Sequence, residues 1–151
     1  MTLYLFLKFF HVLLAIVAVG FNASYGIWLT RAAREPAHTL HVLRGIKVLD
    51  DRFANPAYGL LLVTGIAMLV VGDISPRTFW VATALVLYAV LVIVAVVVYS
   101  PTLRRQIAMV ESGGVDSEPY RRLATRGAAT GGALALIVVV IVFLMVTKPT
   151  L

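Results

Sequence analysis

The sequence predicts an all-α protein, a four-helix transmembrane bundle, and three observations predict it. Four apolar runs reach or approach the ~20 residues that cross a ~30 Å hydrocarbon layer as helix. The composition, 61% hydrophobic and 13% charged in 151 residues with a mean hydropathy of +0.96, supplies more apolar surface than a water-soluble core of this size needs. The thirteen Lys and Arg residues gather in two of the segments between the runs, the distribution that orients membrane proteins. The length is that of one domain, so residues 1–151 are read as a single membrane domain.

The first span is placed at about residues 3–28. It is too long for the apolar segment of a signal peptide, lacks an early small-x-small cleavage site followed by a soluble domain, and has further spans after it. The second is placed at 56–71, where Asn55 offers a side-chain cap and Pro56 a first-turn residue whose missing donor costs nothing. The third, nearly all apolar, runs over 79–99, and the fourth over 127–146.

Arg31, Arg34, Arg44, Lys47 and Arg52 lie between the first two spans, and Arg104, Arg105, Arg121, Arg122 and Arg126 between the last two. Only Arg77, Lys148 and Lys8 belong to the opposite side. Basic loops stay in the cytoplasm, so the expectation is a multi-pass protein of a bacterial inner membrane with both termini extracytoplasmic. The net charge of +6 is accordingly an orientation signal first and an attraction to anionic headgroups second. It is not a nucleic-acid footprint. Both basic loops are read as partly helical. Ser100-Pro101 and Gly113-Gly114 bound a surface helix over about 102–112, and Leu40, Leu43, Ile46 and Leu49 mark a helix lying on the headgroup region. Asp50 and Asp51 are expected to pair with Arg52 or Arg44.

Within the first span Tyr4, Lys8, His11, Ala15, Ala18, Asn22 and Tyr25 recur at three- and four-residue steps, forming one polar and small stripe that should face the bundle. His11 carries the functional question, since an ionisable group inside a membrane is costly. One reading makes it an axial ligand to haem b, or a metal or quinone contact. The other makes it a neutral imidazole hydrogen-bonded across helices. The spans hold no second histidine, so Met68 or Met145 would have to supply another axial ligand, although methionine is more often a gap-filler. Lys8 is either a partner of His11 or a side chain reaching for the interface. Asn22 and Tyr25 are read as interhelical hydrogen-bonding residues.

His38 and His41 share a helix face, but two ligands make a poor metal site. Gly127, Gly131, Gly132 and Ala135, with Gly65 and Gly72 on the face of Met68, mark close helix approach within the chain or between copies. The absence of cysteine excludes disulfides and thiolate chemistry. There is no glycine-rich phosphate loop and no His-Glu-x-x-His. No catalytic or metal residues are assigned, and the spans carry no carboxylate for an ion path.

The stretches Lys8-Phe9-Phe10-His11-Val12-Leu13, Val19-Gly20-Phe21-Asn22, Leu29-Thr30-Arg31-Ala32, and Asp50-Asp51 through Asn55-Pro56 to Leu62-Val63-Thr64-Gly65 resemble the bacterial membrane family called domain of unknown function 2269. That resemblance implies a four-helix inner-membrane protein and supplies no mechanism. A looser likeness, through Lys8 and His11, runs to the copper-resistance D family and the short membrane protoporphyrinogen oxidases. In the oxidases the corresponding histidine is associated with haem b, although their tryptophan and glycine pattern is replaced here by Ala18-Val19-Gly20-Phe21-Asn22. The leading expectation is a non-enzymatic accessory or scaffolding bundle, in contact with the lipid bilayer and forming a homo-oligomer or a subunit of a membrane complex. The alternative is a haem-binding redox protein or oxidase-like enzyme with His11 as ligand and Lys8 and Met68 beside it.

Overall fold

The computed structural model describes residues 2–149, and all regular structure among them is helical. The elements are α1 (Leu3–Ala32), α2 (Thr39–Leu49), α3 (Asn55–Val71), α4 (Phe79–Val94), α5 (Ser100–Glu111) and α6 (Glu118–Thr147). A 3-10 turn, Pro36–His38, leads into α2. Wide π-helical turns over Asp50–Ala54 and Ala95–Tyr99 join α2 to α3 and α4 to α5 without a break. The described residues thus contain four continuous helices long and apolar enough to cross a membrane: Leu3–Ala32, Pro36–Val71, Phe79–Glu111 and Glu118–Thr147.

This continuity corrects two expectations. Asn55 and Ser100 are not helix caps: both have right-handed helical backbones, with φ/ψ of −61°/−46° and −62°/−44°. Their N–H groups bond five residues back, to the carbonyls of Asp50 and Ala95. Proline inside an ordinary helix removes a donor and drives its ring against the carbonyl four residues earlier. A π-turn just before Pro56 and Pro101 widens the coil at that point, so the helix absorbs the proline instead of ending there.

Genuine caps stand elsewhere. Thr2 accepts from the Leu5 N–H at 3.4 Å and Ser117 from the Tyr120 N–H at 3.3 Å, each satisfying a donor of the first turn. At the end of α3, Asp73 adopts a left-handed backbone (φ 50°), and Ile74 N–H closes on the Leu69 carbonyl at 2.9 Å, the reversal that satisfies terminal carbonyls. Lys148 ends α6 in the same conformation, with its ammonium 5.5 Å from the Trp80 ring centre.

The helices alternate in direction, so the first turn of α1, the last turn of α6 and the 72–78 connection lie at one end, and α2, α5 and the first turns of α6 lie at the other, basic end. Helix α1 packs along α3 and α4 along α6, α1 also touches α6, and α2 packs on α5. Between α3 and α4 the Tyr88 hydroxyl donates to the Tyr58 carbonyl at 2.7 Å.

The principal apolar cluster is at the basic end: Tyr25, Leu43, Ile46 and Leu103, with Phe21, Leu49, Tyr99 and Ile107 against it. The leucine face of α2 is therefore turned onto protein, where the sequence suggested headgroups. Water beyond the bilayer drives apolar side chains inward, whereas in the spans lipid solvates them as well as a core would. Most large apolar residues of α1, α3, α4 and α6 accordingly face outward.

Candidate functional site

The polar stripe of α1 meets α3 as an antiparallel seam. Near the chain ends the Tyr4 ring lies so close to Gly72 that a Cβ there would stand 2.8 Å from it. Deeper, His11 Nδ1 and Thr64 Oγ1 are 2.8 Å apart, and the imidazole lies over Gly65, whose Cβ would be 3.3 Å from His11 Cε1. Thr64 donates its single hydroxyl proton to the Leu60 carbonyl at 2.8 Å, so the network assigns the shared hydrogen to His11 Nδ1, which donates to Thr64. Ala18 is fully buried, and Asn22 Nδ2 donates both to the Ala18 carbonyl at 2.9 Å and to the Tyr58 hydroxyl at 3.0 Å.

The sequence candidates are distributed unevenly over this seam. His11 is half-buried on it, whereas Lys8 is exposed. Met68 is half-buried one turn beyond Thr64, on the same face of α3, and Met145 is half-buried on α6. The bonds that fix His11 to α3 run through Thr64, a residue the spacing argument did not single out. Gly127 is buried against Gln106 and Thr102 of α5, and Gly131 lies 3.6 Å from the Tyr99 ring by the same Cβ measure, while Gly132 faces open space. His38 pairs with Glu35 at 3.2 Å, and His38 and His41 line an open groove of about 190 Å³ with Trp28 and Arg31. Among the described residues no group of three or more His, Cys, Asp or Glu is arranged to hold a metal.

A second polar cluster occupies the junction of the spans with the basic end. Asp50 is only 7% exposed. The expected pairing of the two aspartates with Arg52 or Arg44 is not what forms. Lys47 pairs with Asp51, one turn along the same helix, and Arg44 reaches across to Glu111 of α5 at 2.8 Å. Asp50 instead accepts from the Asn55 amide at 3.4 Å. It lies within electrostatic reach of Tyr25 on α1, Tyr58 on α3 and Tyr99 in the second π-turn. Burial pushes the Asp50 carboxyl above the usual carboxylate range; the neighbouring Asp51 charge adds to this, while Lys47 and the Asn55 amide pull the other way. Tyr25, expected to hydrogen-bond across helices as Asn22 does, instead packs into the apolar cluster with its hydroxyl buried and without a hydrogen-bond partner. A signal for Asp50 was present in the sequence: it follows Leu43 by seven residues and Ile46 by four, which puts it on the apolar face of α2.

No curated protein and no solved structure matches this chain. A family model described as predicted integral membrane protein matches residues 5–149, in keeping with the four apolar helices: the chain belongs to the DUF2269 family.

Proposed function

We propose that the protein is a non-catalytic accessory or scaffolding bundle of a bacterial inner membrane, acting as a homo-oligomer or as a subunit of a larger membrane complex. The observation that carries this reading is the direction of the polar side chains within the spans. His11 bonds Thr64, Asn22 bonds Tyr58, and Tyr88 bonds the Tyr58 carbonyl. Each joins one helix to another, the ordinary use of polar groups in hydrocarbon. The outward apolar faces, Leu136, Val139 and Phe143 of α6 among them, are free for lipid or a neighbouring membrane helix.

The proposed orientation puts the basic end in the cytoplasm and both termini outside, on the strength of the Lys and Arg count in the two basic loops. The chain has no cysteine, so single cysteines report sidedness cleanly. Asp73→Cys is expected to react with an impermeant maleimide in intact cells and Gly113→Cys only after permeabilisation; the reverse pattern would invert the topology.

One observation favours a second reading, a b-type haem protein. With Nδ1 donating to Thr64, His11 keeps its Nε2 lone pair, the arrangement in which a hydrogen bond fixes the tautomer of a ligating imidazole. His11 and Met68 are the residues that would hold the group, which would supply one-electron chemistry when bound. Oxidised and reduced visible spectra of the protein purified in mild detergent, beside His11→Ala, separate the two readings. A colourless protein is expected. A stoichiometric haem band that disappears in the variant would overturn the scaffold and establish the redox reading.

A further inference from the structure

Where α1 ends, the chain turns back through Pro36–His38 into α2 and forms the groove of about 190 Å³. Its walls are Trp28 and Arg31 of α1, Glu35 and His38 at the turn, and His41 and Val42 of α2. Trp28, half exposed, stands at the end of the first apolar run, where indole rings sit between hydrocarbon and water, and Arg31 follows almost one turn later. The groove therefore opens at headgroup depth.

Its lining is rich in donors and poor in free acceptors. The carbonyls at the end of α1, which would repel an anion, are already taken: Leu29 by the Ala33 N–H at 3.0 Å, Arg31 by the Arg34 N–H at 3.0 Å, and Ala32 by the Glu35 N–H at 3.1 Å and the Thr39 hydroxyl at 3.4 Å. The carboxylate in the wall, Glu35, is held by His38 at 3.2 Å. Arg31 forms no ion pair among the described residues. Its guanidinium has donors only, and His41 adds an imidazole N–H. A negatively charged group that accepts and does not donate completes this lining, and a phosphate diester is such a group, matched by the guanidinium fork with two parallel bonds. The volume is below the roughly 300 Å³ of pockets that enclose a whole drug-sized molecule. It suits a headgroup whose acyl chains remain outside, and the apolar walls Trp28 and Val42 suit a lipid better than a soluble anion. We infer that the groove binds the phosphate of an anionic phospholipid, with Arg31 and His41 as the groups that hold it; basic pockets at membrane-helix ends take such headgroups. The site is independent of the scaffold and haem readings.

Trp28 is also the reporter. The chain's other tryptophan, Trp80, begins α4 at the opposite end of the bundle, so in full-length Trp80→Phe, reconstituted in vesicles, brominated acyl chains quench Trp28 alone. Brominated phosphatidylglycerol is titrated into phosphatidylcholine vesicles and compared with brominated phosphatidylcholine. Saturable quenching with an affinity about tenfold higher for phosphatidylglycerol is expected, the equivalent of one charge-assisted hydrogen bond. Arg31→Gln is expected to abolish the preference, and Arg34→Gln, which removes the same charge outside the groove, to preserve it. Equal quenching by the two lipids overturns the site. So does a preference that survives Arg31→Gln, or one that falls as far in Arg34→Gln, which would make it a general attraction of the basic end. Loss of the preference on adding millimolar inorganic phosphate at constant ionic strength would assign the groove to a soluble phosphate and overturn the lipid. Should Arg31→Gln lose its helical circular dichroism, His41→Gln decides: an undiminished preference overturns the proposal.

Discussion

A Cβ on Gly127 would stand 2.6 Å from Gln106 Nε2, and that amide cannot swing aside without giving up its 3.1 Å bond to the Leu123 carbonyl. Gly127→Ala is therefore expected to destabilise the fold by about 1–3 kcal/mol, the usual range for overpacking, seen as a lower midpoint of thermal unfolding in detergent. Thr64→Val tests the other close contact of a polar side chain. It keeps the shape of α3 but leaves His11 Nδ1 without its acceptor, at a cost of about 1 kcal/mol, typical of interhelical hydrogen bonds in membranes; Thr64→Ser should recover most of it. For Asp50 the expected signature is in pH. Its folded carboxyl titrates above the unfolded value of about 3.9, so over the interval between the two the folded state holds a proton that the unfolded chain has lost. The contribution is complete below the unfolded value and is lost as pH rises through the folded one. The melting midpoint should fall over that interval, and Asp50→Asn should flatten the slope; an equally steep fall in the variant would assign it to another group.

At the scale of elements, α1 was legible because hydropathy and the three- and four-residue spacing of Tyr4, Lys8, His11, Ala15, Ala18, Asn22 and Tyr25 agree, and the stripe, apart from the exposed Lys8, is the face turned onto the bundle. The basic loops were legible as helical but not as continuations of the spans. Asn55-Pro56 and Ser100-Pro101 carry the same local chemistry whether a helix begins there or passes through a π-turn, and periodicity over a few residues does not separate the two. The partner of His11 was hidden for a different reason: it is decided by how α1 meets α3, which no local pattern encodes. Asp50 lay on the apolar face of α2 by its spacing from Leu43, yet an aspartate beside an aspartate and an arginine reads as solvated. Continuity also gives α2 and α5 a fixed relation, with Arg44 and Glu111 bridging them at the surface. Both side chains are well exposed, so Glu111→Gln should cost less than about 1 kcal/mol; a larger loss would mean that the bridge, rather than the apolar face beneath it, holds the two helices together.

The whole molecule is held from one end. Its spans bring few large side chains into contact, because lipid is as good a solvent for Val and Leu as another helix. What distinguishes the folded bundle from four loosely associated helices is the close seam of α1 on α3, the pairing of α4 with α6, and the cluster where α2 and α5 fold under both pairs. Leu43 is fully buried in that cluster, whereas Val139, in the middle of α6, is 61% exposed. A water-soluble protein would reward burial of both. Here the two truncations should separate: Leu43→Ala opens a cavity in a packed core and is expected to cost about 2–5 kcal/mol, while Val139→Ala exchanges one lipid-facing methyl set for another and should leave the melting midpoint within the range of neutral surface substitutions, about 0.5 kcal/mol. Unfolding of both variants in mixed detergent micelles, followed by loss of the near-ultraviolet signal of Tyr25 and its neighbours, measures the difference. Equal losses would place the stabilising core in the spans after all, and a large loss for Val139→Ala alone would identify the α6 face as an interface between copies.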